Sequence, residues 1–267
     1  MPITNYSTYL EELNSPEEIV QFSLTTTTSV VGRTYDMWVP QALAGAAPAT
    51  NAVPTRATAG SLGQQNGTVS VLGFIQASIG SFSPGAYILC DRLSHSAGLD
   101  ATQTGARTTN LPTPALTRYT DGIGVMCMLT VYTQIGTTGT TVTVSYTNQA
   151  GTSGRTSPSV VFGGTAFREA NRSILIPCQS GDAGFRAVAS VNLAGSTGTT
   201  GNYGVTLFKP LSTIIVDEQH NVTHANLING KLMGGMPEIV DDAALFFIGI
   251  SQTTTIQASG MISTIEW

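Results

Sequence analysis

Reactive side chains gather at a few places in this chain. The stretch "DRLSHSAG" sets Asp91, Ser94 and His95 close together. A Ser/His/Asp triad uses these types, but its members act from separate loops, beside an oxyanion hole and in one large class within a G-x-S-x-G elbow. Neither signature is present, so hydrogen bonding within a loop is the expectation. In "DEQHNVTHANL", His220 and His224 stand four apart, near Asp217 and Glu218. On a helix that spacing suits a metal. Here "NVT" separates the histidines and no helical apolar face runs through them, so no metal is expected. The same "NVT" is a glycosylation sequon, which only a secreted chain would use. Asp241 and Asp242 are adjacent, and on a strand they point to opposite faces. A glycosidase needs two carboxylates at a set separation. A sugar-directed module stays open as an alternative, although its site would favour exposed aromatics and Trp38 and Trp267 are the only tryptophans.

Cys90, Cys127 and Cys178 are odd in number and widely spaced, without CxxC or CxH pairs. Three buried thiols are expected, with a disulfide as the rival. Runs such as "GTTGTT" contain no G-x-x-x-x-G-K-[ST], so turns explain them. No catalytic residue, metal or cofactor is expected.

Composition limits the remaining classes. Charged residues make up 10% of the 267, against about 25% in an average domain. Thr, Ser, Asn, Gln and Gly must then cover the surface, or neighbours must hide it. The net charge of −5 and the mere two lysines, Lys209 and Lys231, argue against a nucleic-acid partner. The start "MPITNYSTYLEELNSPEEIV" lacks the pattern of a signal peptide. The longest apolar run, "AALFFIGI" at 243–250, is far short of the roughly twenty residues that span a bilayer. A chain made and dissolved in a cytoplasm, with no membrane partner, is the expectation.

The elements come next. "NSPEEIVQFSL" reads as a helix over about 15–24: Asn14 or Ser15 as cap, Pro16 in the first turn, Glu17 and Glu18 at the positive end. A shorter helix fits Tyr6 to Leu13. Residues 25–67 hold Pro40, Pro48, Pro54 and several glycines. They read as an extended arm that docks on something or packs against its own domain. From 68 onward the pattern has a period of two. In "TVTVSYT", Val142, Val144 and Tyr146 alternate with Thr141, Thr143 and Ser145. "IGVMCMLTVYTQ" places Ile123, Val125, Cys127, Leu129 and Val131 on one face. Met126, Met128 and Tyr132 on the other predict cover on both sides, from a second sheet or a partner. Further strands fit "SVLGFIQA", "AYILCDRL", "SILIPC", "FRAVASVNL", "YGVTLFK", "STIIVDE", "AALFFIGI" and "TTTIQASGMISTIEW", with glycine-rich turns between them. The predicted fold is all-β: a jelly-roll-like antiparallel β-sandwich over 68–267, preceded at 1–67 by a short N-terminal helix and the extended arm.

Residues 91–216 carry a resemblance. The "DRLSHSAGL" turn, the "TTNLPTPALTRYT" connector, the "SYTNQAGTSGRT" hairpin and the "FREANR" stretch resemble tailed-bacteriophage virion proteins. The likeness covers about half the chain. It implies a non-enzymatic, multicopy shell component on the capsid surface of a virion. It is similar to capsid decoration (cement) proteins, which implies a jelly-roll trimer seated on the major capsid protein. In that setting the arm would clamp across a capsid joint through Arg33, Tyr35, Asp36, Met37 and Trp38, residue types enriched in interface hot spots. A tail, neck or baseplate protein and a carbohydrate- or receptor-binding module are the alternatives. A major capsid protein fits less well, given the low helix content.

Overall fold

The computed structural model describes residues 7, 11, 19–40, 45–63, 71–81, 84–216, 222–226 and 238–266. Seventeen strands lie among them. The first six are β1 (Ile19–Thr28), β2 (Thr34–Asp36), β3 (Val71–Ser81), β4 (Gly85–His95), β5 (Leu99–Asp100) and β6 (Gly105–Arg107). Then come β7 (Met126–Thr133), β8 (Gly139–Asn148), β9 (Arg155–Thr156), β10 (Val160–Gly163), β11 (Ser173–Ile176) and β12 (Phe185–Leu193). The last are β13 (Asn202–Val216), β14 (Val222–Asn226), β15 (Glu238–Val240), β16 (Leu245–Ser251) and β17 (Thr255–Glu266).

These strands build three antiparallel sheets. A central sheet runs β11-β7-β13-β4-β16-β2, with β5 beside β13; a flank sheet runs β10-β8-β12-β6, with β9 beside β8; a third runs β1-β17-β3-β14, with β15 beside β3. "YGVTLFK" and "STIIVDE" merge into β13, whose pairing with β4 shifts register between Leu207 and Phe208 and again between Pro210 and Ser212. Irregularities of this kind let a strand interior hold a proline.

The central sheet rolls up on itself. Tyr35 of β2 bridges Arg172, just ahead of β11, at the sheet's far edge. The Asp36 N–H donates to Asn171 O at 2.8 Å, and Thr34 Oγ1 donates to Ser173 O at 2.7 Å. Thr130 Oγ1 on β7 also donates to Asp36 Oδ2 at 2.9 Å. In a flat sheet four strand spacings, about 19 Å, would separate β7 from β2. The six strands therefore form a nearly closed barrel, with β2 as its closing stave.

Barrel curvature sorts the side chains of β4 by alternation. Leu93 joins the core between barrel and flank sheet, with Leu129, Val144, Val191 and Leu207. Tyr87 and Leu89 join the core between barrel and third sheet, with Phe22, Ile214, Phe247 and Ile262. Cys90 points to the interior, with Met128, Phe208, Phe246 and Trp38. The second face of β7 meets the barrel's own interior through Met128, Thr130 and Tyr132, while Met126 at the strand's start is exposed. Ile123 falls outside β7 and is 55% exposed, contrary to its predicted place on the buried face.

The N-terminal helix needs correction, and the arm takes the second of its two predicted courses. Residues 19–24 of the predicted helix lie in β1, paired with β17. "IVQFSL" itself explains this: Val20, Phe22 and Leu24 are buried, while Gln21 and Ser23 face outward. That is a strand's period. The capping signal at 14–18 lies outside the described residues, as does the Tyr6–Leu13 stretch apart from Ser7 and Glu11. The predicted arm, where described, packs on its own chain. β1 and β2 pair with the late strands β17 and β16, so the sheets cross the predicted boundary at residue 67. Ala52 bridges His95 and Leu62 bridges Leu245, tying the next segment along the barrel mouth.

Two glycines in that segment let it approach the Trp38 indole. A Cβ on Gly45 would lie 2.7 Å from Trp38 Cδ1; one on Gly60 would lie 2.6 Å from Trp38 Cε2, and Gly60 has φ +99°. Gly60→Ala is expected to cost at least about 1–3 kcal/mol, since it adds backbone strain to a clash. A lower midpoint in urea unfolding, with unchanged slope, is the reading to look for.

Candidate functional site: the sealed barrel centre

A guanidinium sits in the barrel. Arg92 on β4 is fully buried. Its Nη1 donates to Asp36 Oδ2 at 2.8 Å and its Nε to His95 Nδ1 at 2.9 Å. One Nη2 group reaches both Tyr132 Oη at 3.0 Å and Thr206 Oγ1 at 2.9 Å. The faces are covered too: the guanidinium carbon lies 4.9 Å from the ring centres of Trp38 and Phe246. Asp36 completes its own set by accepting from Thr130 and from the Trp38 N–H, the latter at 2.9 Å. The charge is buried, and it is paired and hydrogen-bonded on every side, as burial demands.

The neighbouring residue forms a second buried pair on the opposite face. Asp91 accepts from Arg118 Nε at 2.8 Å and Nη2 at 2.9 Å, and from the Ala244 N–H at 2.8 Å. Arg118 Nη2 also donates to Pro54 O and to Arg92 O, both at 3.0 Å. Burial pushes the Asp91 carboxyl up, against the pull of Arg118. The connector "TTNLPTPALTRYT" thus anchors the mouth segment to β4.

The Asp91, Ser94 and His95 cluster is consumed by these contacts. It lies on a strand rather than in a loop. Ser94 Oγ donates to Asn51 Oδ1 at 3.0 Å, while Asp91 and His95 hold different arginines. Burial, and then the Arg92 charge, lower His95 to about pKa 2, so its ring is neutral near pH 7. Arginine does not deprotonate either. This arrangement can position a backbone; it is not poised to move a proton.

The other candidates scatter. His224 lies on β14, opposite Ser78, and His220 is outside the described residues. Among the described residues no three potential ligands converge for a metal. Asp241 and Asp242 occupy a turn rather than a strand, and Asp242 pairs with Arg56 at 3.4 Å on the surface. All three cysteines are free thiols, with Cys90 and Cys127 buried and Cys178 partly so.

The five predicted partner contacts divide sharply. Tyr35 and Met37 sit in the core under the third sheet, Asp36 and Trp38 in the barrel, all at most 1% exposed. In this conformation they cannot reach a partner. Arg33 alone keeps part of its surface, stacked 4.9 Å from the Phe167 ring centre. Arg172 stacks on the same ring at 5.2 Å and donates to Thr34, so "FREANR" docks the closing stave. Sequence reading missed Arg92, Arg118, Thr130 and Thr206. One signal was available for Arg92: "CDRL" places two charges inside an otherwise apolar strand.

The "SYTNQAGTSGRT" hairpin is present, joining β8 to β9. Its one charge, Arg155, donates to Asp182 Oδ2 at 3.0 Å. Asp182 also accepts from Tyr146 Oη at 2.6 Å and Asn148 Nδ2 at 2.7 Å. The Tyr146 hydroxyl first, then Asn148 and Arg155, hold this carboxylate below its ordinary pKa. A depressed carboxylate stabilises the fold above its unfolded pKa of about 3.9, and the contribution fades as pH falls through the folded value. Asp182→Asn is therefore expected to flatten the acid limb of a stability–pH curve, measured by thermal melting between neutral and strongly acid pH.

No family model, curated protein or solved structure matches this chain.

Proposed function

We propose that the protein is a non-enzymatic structural component of a bacteriophage particle. The favoured place is the head, as a decoration protein made in the host bacterial cytoplasm, associated as a trimer and bound to the major capsid protein. One observation carries the reading. The block 91–216, which resembles phage virion proteins, begins on β4 and ends with β13, and between them lies the whole flank sheet with the core beneath it. The likeness thus follows a structural unit rather than scattered segments.

The strand order supports a jelly roll for that unit. Number β4, β6, β7, β8, β10, β11, β12 and β13 from one to eight. The central sheet then runs 6-3-8-1 and the flank sheet 5-4-7-2. Strands 1 and 8, 2 and 7, 3 and 6, and 4 and 5 are neighbours, as when one long hairpin is rolled up. The barrel interior adds to the reading, because its polar groups are engaged in holding the fold together.

Counting copies tests the proposal. Quantitative mass spectrometry of purified particles is expected to find on the order of hundreds of copies, with the protein also binding empty shells of the major capsid protein. A count near a dozen would move the protein to the tail, neck or baseplate. Absence from the particle, together with saturable glycan binding, would replace the proposal with the carbohydrate-binding alternative.

A further inference from the structure

Residues 46–59 leave the barrel mouth partly empty. A pocket of about 330 Å³, open to solvent, lies between them and the Trp38 side chain that plugs the barrel mouth. Ala46, Ala47, Pro48 and Ala59 form its walls, and the buried Trp38 and His95 close its inner end. Among the described residues the lining is mostly methyl groups and ring surface, joined by Thr50 and Thr58, with no charged side chain. Small ligand sites combine such a wall with a few placed polar groups.

His95 supplies the polar group. Its Nδ1 accepts from Arg92, so the ring proton is assigned to Nε2. Among the described residues no acceptor takes that N–H. The guanidinium behind the ring polarises it and strengthens the outward donor. Asp36 already balances the Arg92 charge, so the pocket offers a donor without a net field for an anion. A carboxylate would lack a counterion there, and an ammonium, which has no lone pair, could not accept from His95 Nε2.

We propose that this pocket binds a small neutral molecule with a short aliphatic body and a carbonyl oxygen, such as an amide or ester, whose oxygen accepts from His95 Nε2. The body packs on the Trp38 ring and the alanine methyls. The site is independent of the proposed place on a virion.

Butyramide, butyrate and butylammonium are the probes, titrated into the full-length protein while the His95 imidazole ¹⁵N–¹H signal is followed by NMR. Butyramide is expected to shift it saturably at about millimolar concentration, at least about tenfold more tightly than either ion. Ala59→Phe, at an exposed rim position, is expected to abolish the shift, with Ala46→Phe as the second blocking variant. No saturable shift, equal shifts from all three probes, or a shift that survives both blocking variants would each overturn the proposal.

Discussion

Asp36→Ala is expected to lower the unfolding free energy by about 3–5 kcal/mol, because it leaves the Arg92 guanidinium buried without its counterion. Thr130 and the Trp38 N–H lose their acceptor in the same step. Asp36 also belongs to the closing stave, so the loss falls where the barrel seals. Urea unfolding followed by far-UV circular dichroism measures it as a lower midpoint. A cycle with Arg92→Met separates the pair from its surroundings. If the charge pairing matters most, the double variant is more stable than Asp36→Ala alone, since no unpaired charge remains. Additive losses would instead place the effect in packing and in the other hydrogen bonds.

Trp38→Ala is the second large effect, about 3–5 kcal/mol. The indole is 1% exposed. It covers one face of the Arg92 guanidinium, meets Phe246 edge-on at 6.2 Å, and carries Gly45 and Gly60 on its outer side. Removing it opens a void against a buried charge, and water can then reach the guanidinium. Trp38→Phe keeps a ring and should recover much of the loss, judged by thermal melting of the three proteins together. Equal stability of Trp38→Ala and wild type would mean that the plug is not part of the cooperative unit. Both expectations bear on how a deletion of residues 1–60, made to test the clamp on the capsid, would read out. That truncation removes β1, β2 and the plug, so it would test folding before it could test capsid binding.

Most body strands were legible because alternation needs only local sequence. "FRAVASVNL" becomes β12 with its predicted bounds, and "TVTVSYT" lies inside β8. The N-terminal error has a definite cause. A cap, a proline and two glutamates are strong local signals, and they precede a stretch whose own period is two. The third sheet then claims that stretch by pairing β1 with β17, more than two hundred residues away in sequence. Tyr35, Asp36, Met37 and Trp38 were legible as important but not as internal. Trp, Tyr and acidic residues beside prolines look the same whether they await a partner or plug their own barrel.

The sequence by itself determined an all-β chain, poor in charge, with antiparallel strands joined by glycine-rich turns, and no local motif for catalysis. Those properties follow from side-chain period and composition, which are local. Only the tertiary structure decided that the central sheet closes, since closure depends on contacts between Thr34 and Ser173 and between Asp36 and Thr130, far apart in the chain. It also decided the fate of the chemistry-bearing residues. Asp91 and Arg92 are adjacent on one strand and so face opposite sides, and each needed a counter-charge from a distant segment before it could be buried.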